Sequence, residues 1–318
     1  MGHKVERILC PHWLLWAALI GLYAINMVWV GLSLRLTLSA ATALQMAAIF
    51  IGTPLILIYW HVREKAFDRP LEVLVRTLMV TLFAGLLTQQ VNLFSHLTMS
   101  LGLPLADARL TQWDQALGFD WNGYVRLMAS EPWSRNLLFF AYYDLLGPAI
   151  GVIIVLSIWH ARYDRVNEVA FLALFTGIVC VSVAALFPAE GAWKTLASAE
   201  SRALIGDQWV LGWIHHFHAL RGIGPVTFTP ANNEGIVGFP SYHSCLGFII
   251  MWCSRGSWLG ALAGGISGIG IVLATPIFGE HYLVDVLAGG AVTAGAILLW
   301  QRIGLAQPSA QPLTQGGH

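Results

Sequence analysis

The sequence predicts an all-α polytopic membrane helix bundle of about eight transmembrane helices, and composition and charge patterning carry that prediction. Of 318 residues, 57% are hydrophobic and only 11% are charged. Soluble domains carry roughly 25% charged residues, and 17 basic plus 17 acidic side chains cannot cover a soluble chain of this size with a polar skin. The charges also leave long runs untouched, and about 20 apolar residues suffice for one crossing. Disorder, collagen and coiled coil are excluded by the same composition.

Runs free of Asp, Glu, Lys and Arg cover 13–34, 36–60, 77–106, 169–189, 235–254 and 256–279. Two more, 136–159 and 281–301, are each broken by one acid, Asp144 and Asp285. The first run follows Lys4 and Arg7 and exceeds the 7–15 apolar residues of a signal peptide, so it reads as a span. Segments 107–135 and 190–234 are connections long and polar enough to be more than turns. The tail 305–318 is low in apolar content and reads as disordered. No repeat of 20–50 residues is present.

Lys and Arg in the short loops set the orientation. With a cytoplasmic N-terminus, the inner segments hold Lys4, Arg7, Arg63, Lys65, Arg69, Arg162, Arg165, Arg255 and Arg302, whereas the short outer loops hold Arg35 alone. Both termini are therefore expected in the cytoplasm. The sixth and eighth spans then begin on the same, extracytoplasmic face. No Asn-x-Ser/Thr site occurs, which fits a multi-pass protein of a bacterial inner membrane.

Net charge is zero and the basic residues are scattered, so nucleic acid is not an expected partner. Cys10, Cys180, Cys245 and Cys253 lie in or beside apolar runs without Cys-x-x-Cys spacing and read as buried thiols.

Two helix starts carry chemistry. Before the sixth span the chain reads Gly238, Phe239, Pro240, Ser241, Tyr242, His243, Ser244. Pro suits the first helical position, the free amides of a first turn attract anions, and Ser241 adds a hydroxyl. The eighth span starts with Glu280, His281, Tyr282, Leu283, Val284, Asp285. His281 and Asp285 are four apart on one helical face, where the carboxylate can fix the imidazole tautomer and leave the other nitrogen free. A carboxylate one turn inside a membrane helix is a functional candidate by default. The two histidines are 38 residues apart, enough for two crossings and a tight turn. Gly260, Gly264 and Gly268 in the seventh span, and Gly289, Gly290 and Gly295 in the eighth, predict close helix approach. One histidine backed by an acid and another in an anion-binding turn suggest phosphoryl transfer, one attacking phosphorus and the other protonating the leaving oxygen.

These residues resemble the type 2 phosphatidic acid phosphatase superfamily, and within it the inositol phosphorylceramide synthase-like branch. Pro240, Ser241 and His243 match a Pro-Ser-x-His element; His281, Tyr282 and Asp285 match His-Tyr-x-x-Asp. The resemblance implies that His281 forms a phosphohistidine, Asp285 orients it, His243 is the general acid and Ser241 binds phosphate. It also implies a six-helix core over 71–304, with 1–70 adding two N-terminal transmembrane helices. The superfamily's Lys-then-Arg-Pro element is missing at its usual place; Lys65, Arg69 and Pro70 lie on the predicted inner face instead. Ala274 and Thr275 replace its Ser-Arg pair. Arg221, whose Arg-Gly spelling is similar to the synthase-like branch, and Lys194 are the candidate replacement cations.

Other features read as structural. His215, His216 and His218 suggest a metal, yet interleaved Trp213, Ile214 and Phe217 favour an interfacial helix. Gln89, Gln90, Asn92, Ser95 and His96 form a polar stripe that suits bonding between helices. Asp107, Asp114 and Asp120 with Trp113 and Trp121 suggest an interfacial helix with solvated carboxylates.

The expected activity is phosphoester cleavage on a lipid-linked phosphate at the extracytoplasmic interface. It needs no metal or other cofactor, and has the bilayer as partner and water or a polyol as acceptor. The competing class is a non-enzymatic lipid or small-molecule transporter, which the polar stripe and Asp144 would support.

Overall fold

The computed structural model describes residues 10–62, 69–206, 211–229 and 235–303. Lys4, Arg7, Arg63, Lys65 and the 305–318 tail lie outside them. Fourteen helices and one small sheet make up the described chain. In order they are α1 (Trp13–Leu32), β1 (Leu36–Leu38), α2 (Ala40–Val62), α3 (Arg69–Met99), α4 (Asp107–Ala116), α5 (Trp121–Ala129), α6 (Pro132–Tyr143) and α7 (Leu146–Trp159). Then follow α8 (Tyr163–Leu186), α9 (Ala192–Leu196), α10 (Ala199–Ile205), α11 (Leu211–Arg221), β2 (Val226–Phe228), α12 (Tyr242–Cys253), α13 (Trp258–Phe278) and α14 (Leu283–Ile303).

Among the described residues five helices are long and apolar enough to cross a membrane: α1, most of α3, α8, α13 and α14. Taken together, α6 and α7, bent by 52° at their junction, have the length and composition of a sixth. The expected second span corresponds to α2, 23 residues without Asp, Glu, Lys or Arg. The expected sixth span differs. The sixth is α12, only 12 residues or about 18 Å long, short of the ~30 Å hydrocarbon core. Its charge-free run begins with non-helical residues through Pro240, and absence of charge does not separate such a lead-in from a helix. Asp144, expected within a span, sits exposed at the break between α6 and α7. Pro148 has no N–H to donate to the Asp144 carbonyl, which favours a break there.

The central element is α12, packed against α8, α13 and α14. Glycine makes this possible: a Cβ on Gly268 would stand 2.5 Å from the Gly247 carbonyl, and one on Gly289 2.6 Å from that of Ser241. Gly295, by contrast, has nothing near it. The helices α1 and α3 are joined by the expected polar stripe, where the Asn26 amide donates to the Gln90 carbonyl (2.9 Å) and side chain (3.0 Å).

Both long connections fold into short helices, α4 and α5 in one and α9 to α11 in the other. Leu110, Trp121, Trp193 and Ile214 from these helices pack with Phe278 and Tyr282 in one apolar cluster, so the connections form a cap over the ends of α13 and α14. The parallel pair β1–β2, Leu36 opposite Val226, ties the first short loop to the cap. Three-residue strands leave no periodicity to read, so they were not expected. All four cysteines are buried and free.

Candidate active site

At the start of α12, Ser241 is the N-cap, and its hydroxyl accepts from the Ser244 amide at 3.3 Å. Pro240 stands one residue before the cap rather than at the first helical position. The amides of Tyr242 and His243 belong to the first turn, which lacks intrahelical acceptors, and no partner for them is present among the described residues. His243 is held from α6: Tyr142 Oη lies 3.2 Å from its Nδ1 and the two rings stack at 4.4 Å. That leaves Nε2 as the outward nitrogen.

At the other helix start, His281 Nδ1 is 2.9 Å from Asp285 Oδ2, which also accepts from the Tyr282 amide at 3.0 Å. Both side chains are buried. The carboxylate favours the tautomer with the proton on Nδ1 and the lone pair on Nε2. The Asp285 carbonyl accepts from the Ser241 amide at 3.0 Å, so one residue touches both motifs. His243 and His281 interact electrostatically. Gly279 lets their supports converge, because a Cβ there would lie 2.7 Å from the His281 ring and 2.8 Å from Tyr142 Oη.

Two acids of α4 brace this loop and correct the expectation that they are solvated. Asp107 and Asp114 are seven apart, two turns on one helical face, and both are buried. Asp114 accepts from the first amides of α14, Leu283 and Val284, each at 2.9 Å. Burial raises its carboxyl above the ordinary range, partly opposed by those two amides. Asp107 accepts from Tyr282 Oη at 2.9 Å and from the Glu190 and Gly191 amides at 3.0 Å. Asp120, by contrast, is exposed and pairs with Arg126 at 3.6 Å.

Glu280, given no role from sequence, is buried beside His281 with φ of 58°, a strained value for a non-glycine residue. The Ala192 amide holds its carbonyl at 2.7 Å, and the Trp213 indole donates to its carboxyl at 2.9 Å. Burial pushes that carboxyl up to about 8, against the pull of the indole N–H. Glu280 thus ties the loop before α14 to α11. Tyr142 was also missed. Neither belongs to a local motif, since each reaches the site through the packing of separate elements.

The fold brings Ser241, His243, His281 and Asp285 together and leaves the two candidate cations in the cap. Arg221 ends α11, where it donates to the Leu103 carbonyl, lies 5.2 Å over the Phe217 ring and has Glu190 and Asp107 as electrostatic neighbours. Lys194 is exposed on α9. His215, His216 and His218 do not converge: His218 pairs with Glu190 at 2.8 Å, His216 faces His96 and His215 is exposed. Among the described residues no group of three His, Cys, Asp or Glu is placed to hold a metal.

A family model described as the PAP2 superfamily matches residues 108–299. No curated protein and no solved structure matches the chain. The match begins one residue into α4 and contains the rest of the cap, both histidine motifs and Asp114, with Asp107 just before it.

Proposed function

Because the chain belongs to the PAP2 superfamily, we propose that it is an integral membrane lipid-phosphate phosphatase or phosphotransferase acting through a phosphohistidine on His281. The observation that carries this reading is the His281–Asp285 pair at 2.9 Å, set beside a second histidine that Tyr142 holds. His281 Nε2 attacks phosphorus, the phosphoester bond to the lipid oxygen breaks, and His243 gives that oxygen its proton. His243 then takes a proton from water or an alcohol, whose oxygen attacks phosphorus and releases His281. Water makes the reaction a hydrolysis; an alcohol, such as a polyol or, in an inositol phosphorylceramide synthase-like enzyme, a lipid hydroxyl, makes it a phosphotransfer.

The first-turn amides of α12 suit the phosphoryl oxygens, as oriented donors stabilise developing charge. Ser241 shapes that turn through its cap and offers its hydroxyl from the same place. Arg221 is the cation we assign to phosphate, through the field it adds beside Asp107 and Tyr282; Lys194 stands further out on the cap wall. The distribution of Lys and Arg supports an extracytoplasmic site and cytoplasmic termini.

The test is product analysis with lipid phosphates, with and without a polyol. Wild type releases phosphate or forms the polyol phosphoester, and His281→Ala lowers either product by about 10³-fold or more. Unchanged turnover in His281→Ala would remove the catalytic reading and leave the transporter class.

A further inference from the structure

The far end of the bundle holds a site that the catalytic reading does not use. Above the 52° bend, α6 lies against α13, with Gly270 open to Ala141: a Cβ there would be 3.4 Å from that of Ala141. Below the bend α7 turns away, and a cleft of about 470 Å³ opens between α7, α8, α12 and α13. That volume is in the range of small-molecule sites, ~300–1,000 Å³. Val152, Leu156 and Ala263 line an apolar wall; Arg162, Arg165 and Ser257 line its polar end. Val152 and Leu156 are 57% and 52% exposed, so the wall opens sideways, toward the hydrocarbon of a bilayer.

The polar end carries excess positive charge. Glu168 is shared by Arg165 at 3.4 Å and Arg255 at 2.8 Å. Asp164, exposed in the first turn of α8, is the other acid nearby. Among the described residues three guanidiniums therefore face two carboxylates. Arg162 has no carboxylate partner among the described residues, and its guanidinium lies over Gly256, where a Cβ would stand 2.6 Å from Nη1. An exposed cation at the base of a lateral apolar cleft in a membrane protein presents the two halves of an anionic lipid's complement, a phosphate donor and a chain-length wall.

We infer that this cleft binds an anionic phospholipid of the leaflet at the opposite end of the bundle from the histidines. Its phosphate sits on Arg162 with Ser257 alongside, and an acyl chain runs up α7. The inference stands independently of the reaction proposed for His281.

The experiment counts lipids retained by the full chain in a neutral detergent, by native mass spectrometry, after incubation with phosphatidylglycerol, phosphatidylcholine or diacylglycerol. Wild type and His281→Ala retain phosphatidylglycerol in preference to the other two. Arg162→Ala, which removes an exposed side chain and leaves the packing intact, retains about tenfold less or lower still, the loss expected for one charge-assisted contact. Ala263→Trp, which fills the wall, loses retention as well, and Arg162→Lys restores part of it. Retention by Arg162→Ala equal to wild type overturns the inference, as does equal retention of diacylglycerol. Loss in His281→Ala alone would move the lipid to the catalytic site and also overturn it.

Discussion

Two helix starts meet at the site and use the same backbone chemistry in opposite ways. The first amides of α14 are filled from within the protein by Asp114, at 2.9 Å each. Those of α12 have no partner among the described residues, and Ser241 caps only the Ser244 amide behind them. A filled helix start is held in place; an open one offers N–H donors to an anion. In the proposed reaction the difference divides the labour: α14 fixes the imidazole that has to be oriented, and α12 leaves donors for the phosphate that has to be received.

The comparison breaks most severely at Asp285. Asp285→Asn keeps the shape but removes the charge that sets the His281 tautomer, and turnover should fall by about 10²–10⁴-fold with little change in KM. Retained turnover would show that the His281–Asp285 bond is structural alone. Next in size is Asp114→Ala, which empties the filled start. Loss of a cap costs about 0.5–2 kcal/mol, so a lower melting temperature and a drop in kcat of about tenfold are expected together. A variant that loses stability but keeps kcat would separate the brace from the chemistry.

Arg221→Gln removes the positive field that Arg221 adds beside the site and should weaken vanadate inhibition by about tenfold. An unchanged inhibition constant would confine Arg221 to its contacts with Leu103 and Phe217.

The smallest effect concerns Glu280 and is read in pH. Its carboxyl is raised to about 8, so from its ordinary value of 4.5 up to about 8 the folded protein keeps a proton that the unfolded chain has released. Stability contributed by this group is full below that window and falls as pH rises through it, by at most about 1.4 kcal/mol per pH unit. Glu280→Gln should flatten the melting temperature between pH 5 and 8, and an unaltered slope would assign the pH dependence elsewhere.

Local patterning made the helices and both histidine motifs legible. Charge-free runs marked α1, α3, α8 and α13, and runs broken by a single acid marked α14 and the α6–α7 pair, because burying charge in hydrocarbon is costly whatever the fold. His281 and Asp285 were readable together because their four-residue spacing is one helical turn. Residues that act across elements were not: Tyr142 reaches His243 from 101 positions away, and Asp114 reaches Leu283 from 169. Asp107 and Asp114 looked solvated because a loop carboxylate is usually exposed, and only the folding of the connection into α4 buries them. The short α12 was overestimated for a related reason, since a charge-free extended lead-in and a membrane helix have the same composition. Arg221 was proposed from a resemblance in spelling, and the fold puts it in the cap beside Asp107 and Glu190.

The proposed reaction turns on a covalent bond between His281 Nε2 and phosphorus. That bond is read by rapid mixing with a lipid phosphate labelled on phosphorus, quenched in alkali where a phosphohistidine survives. The wild-type chain should carry label and His281→Ala none. Label persisting on His281→Ala would contradict it.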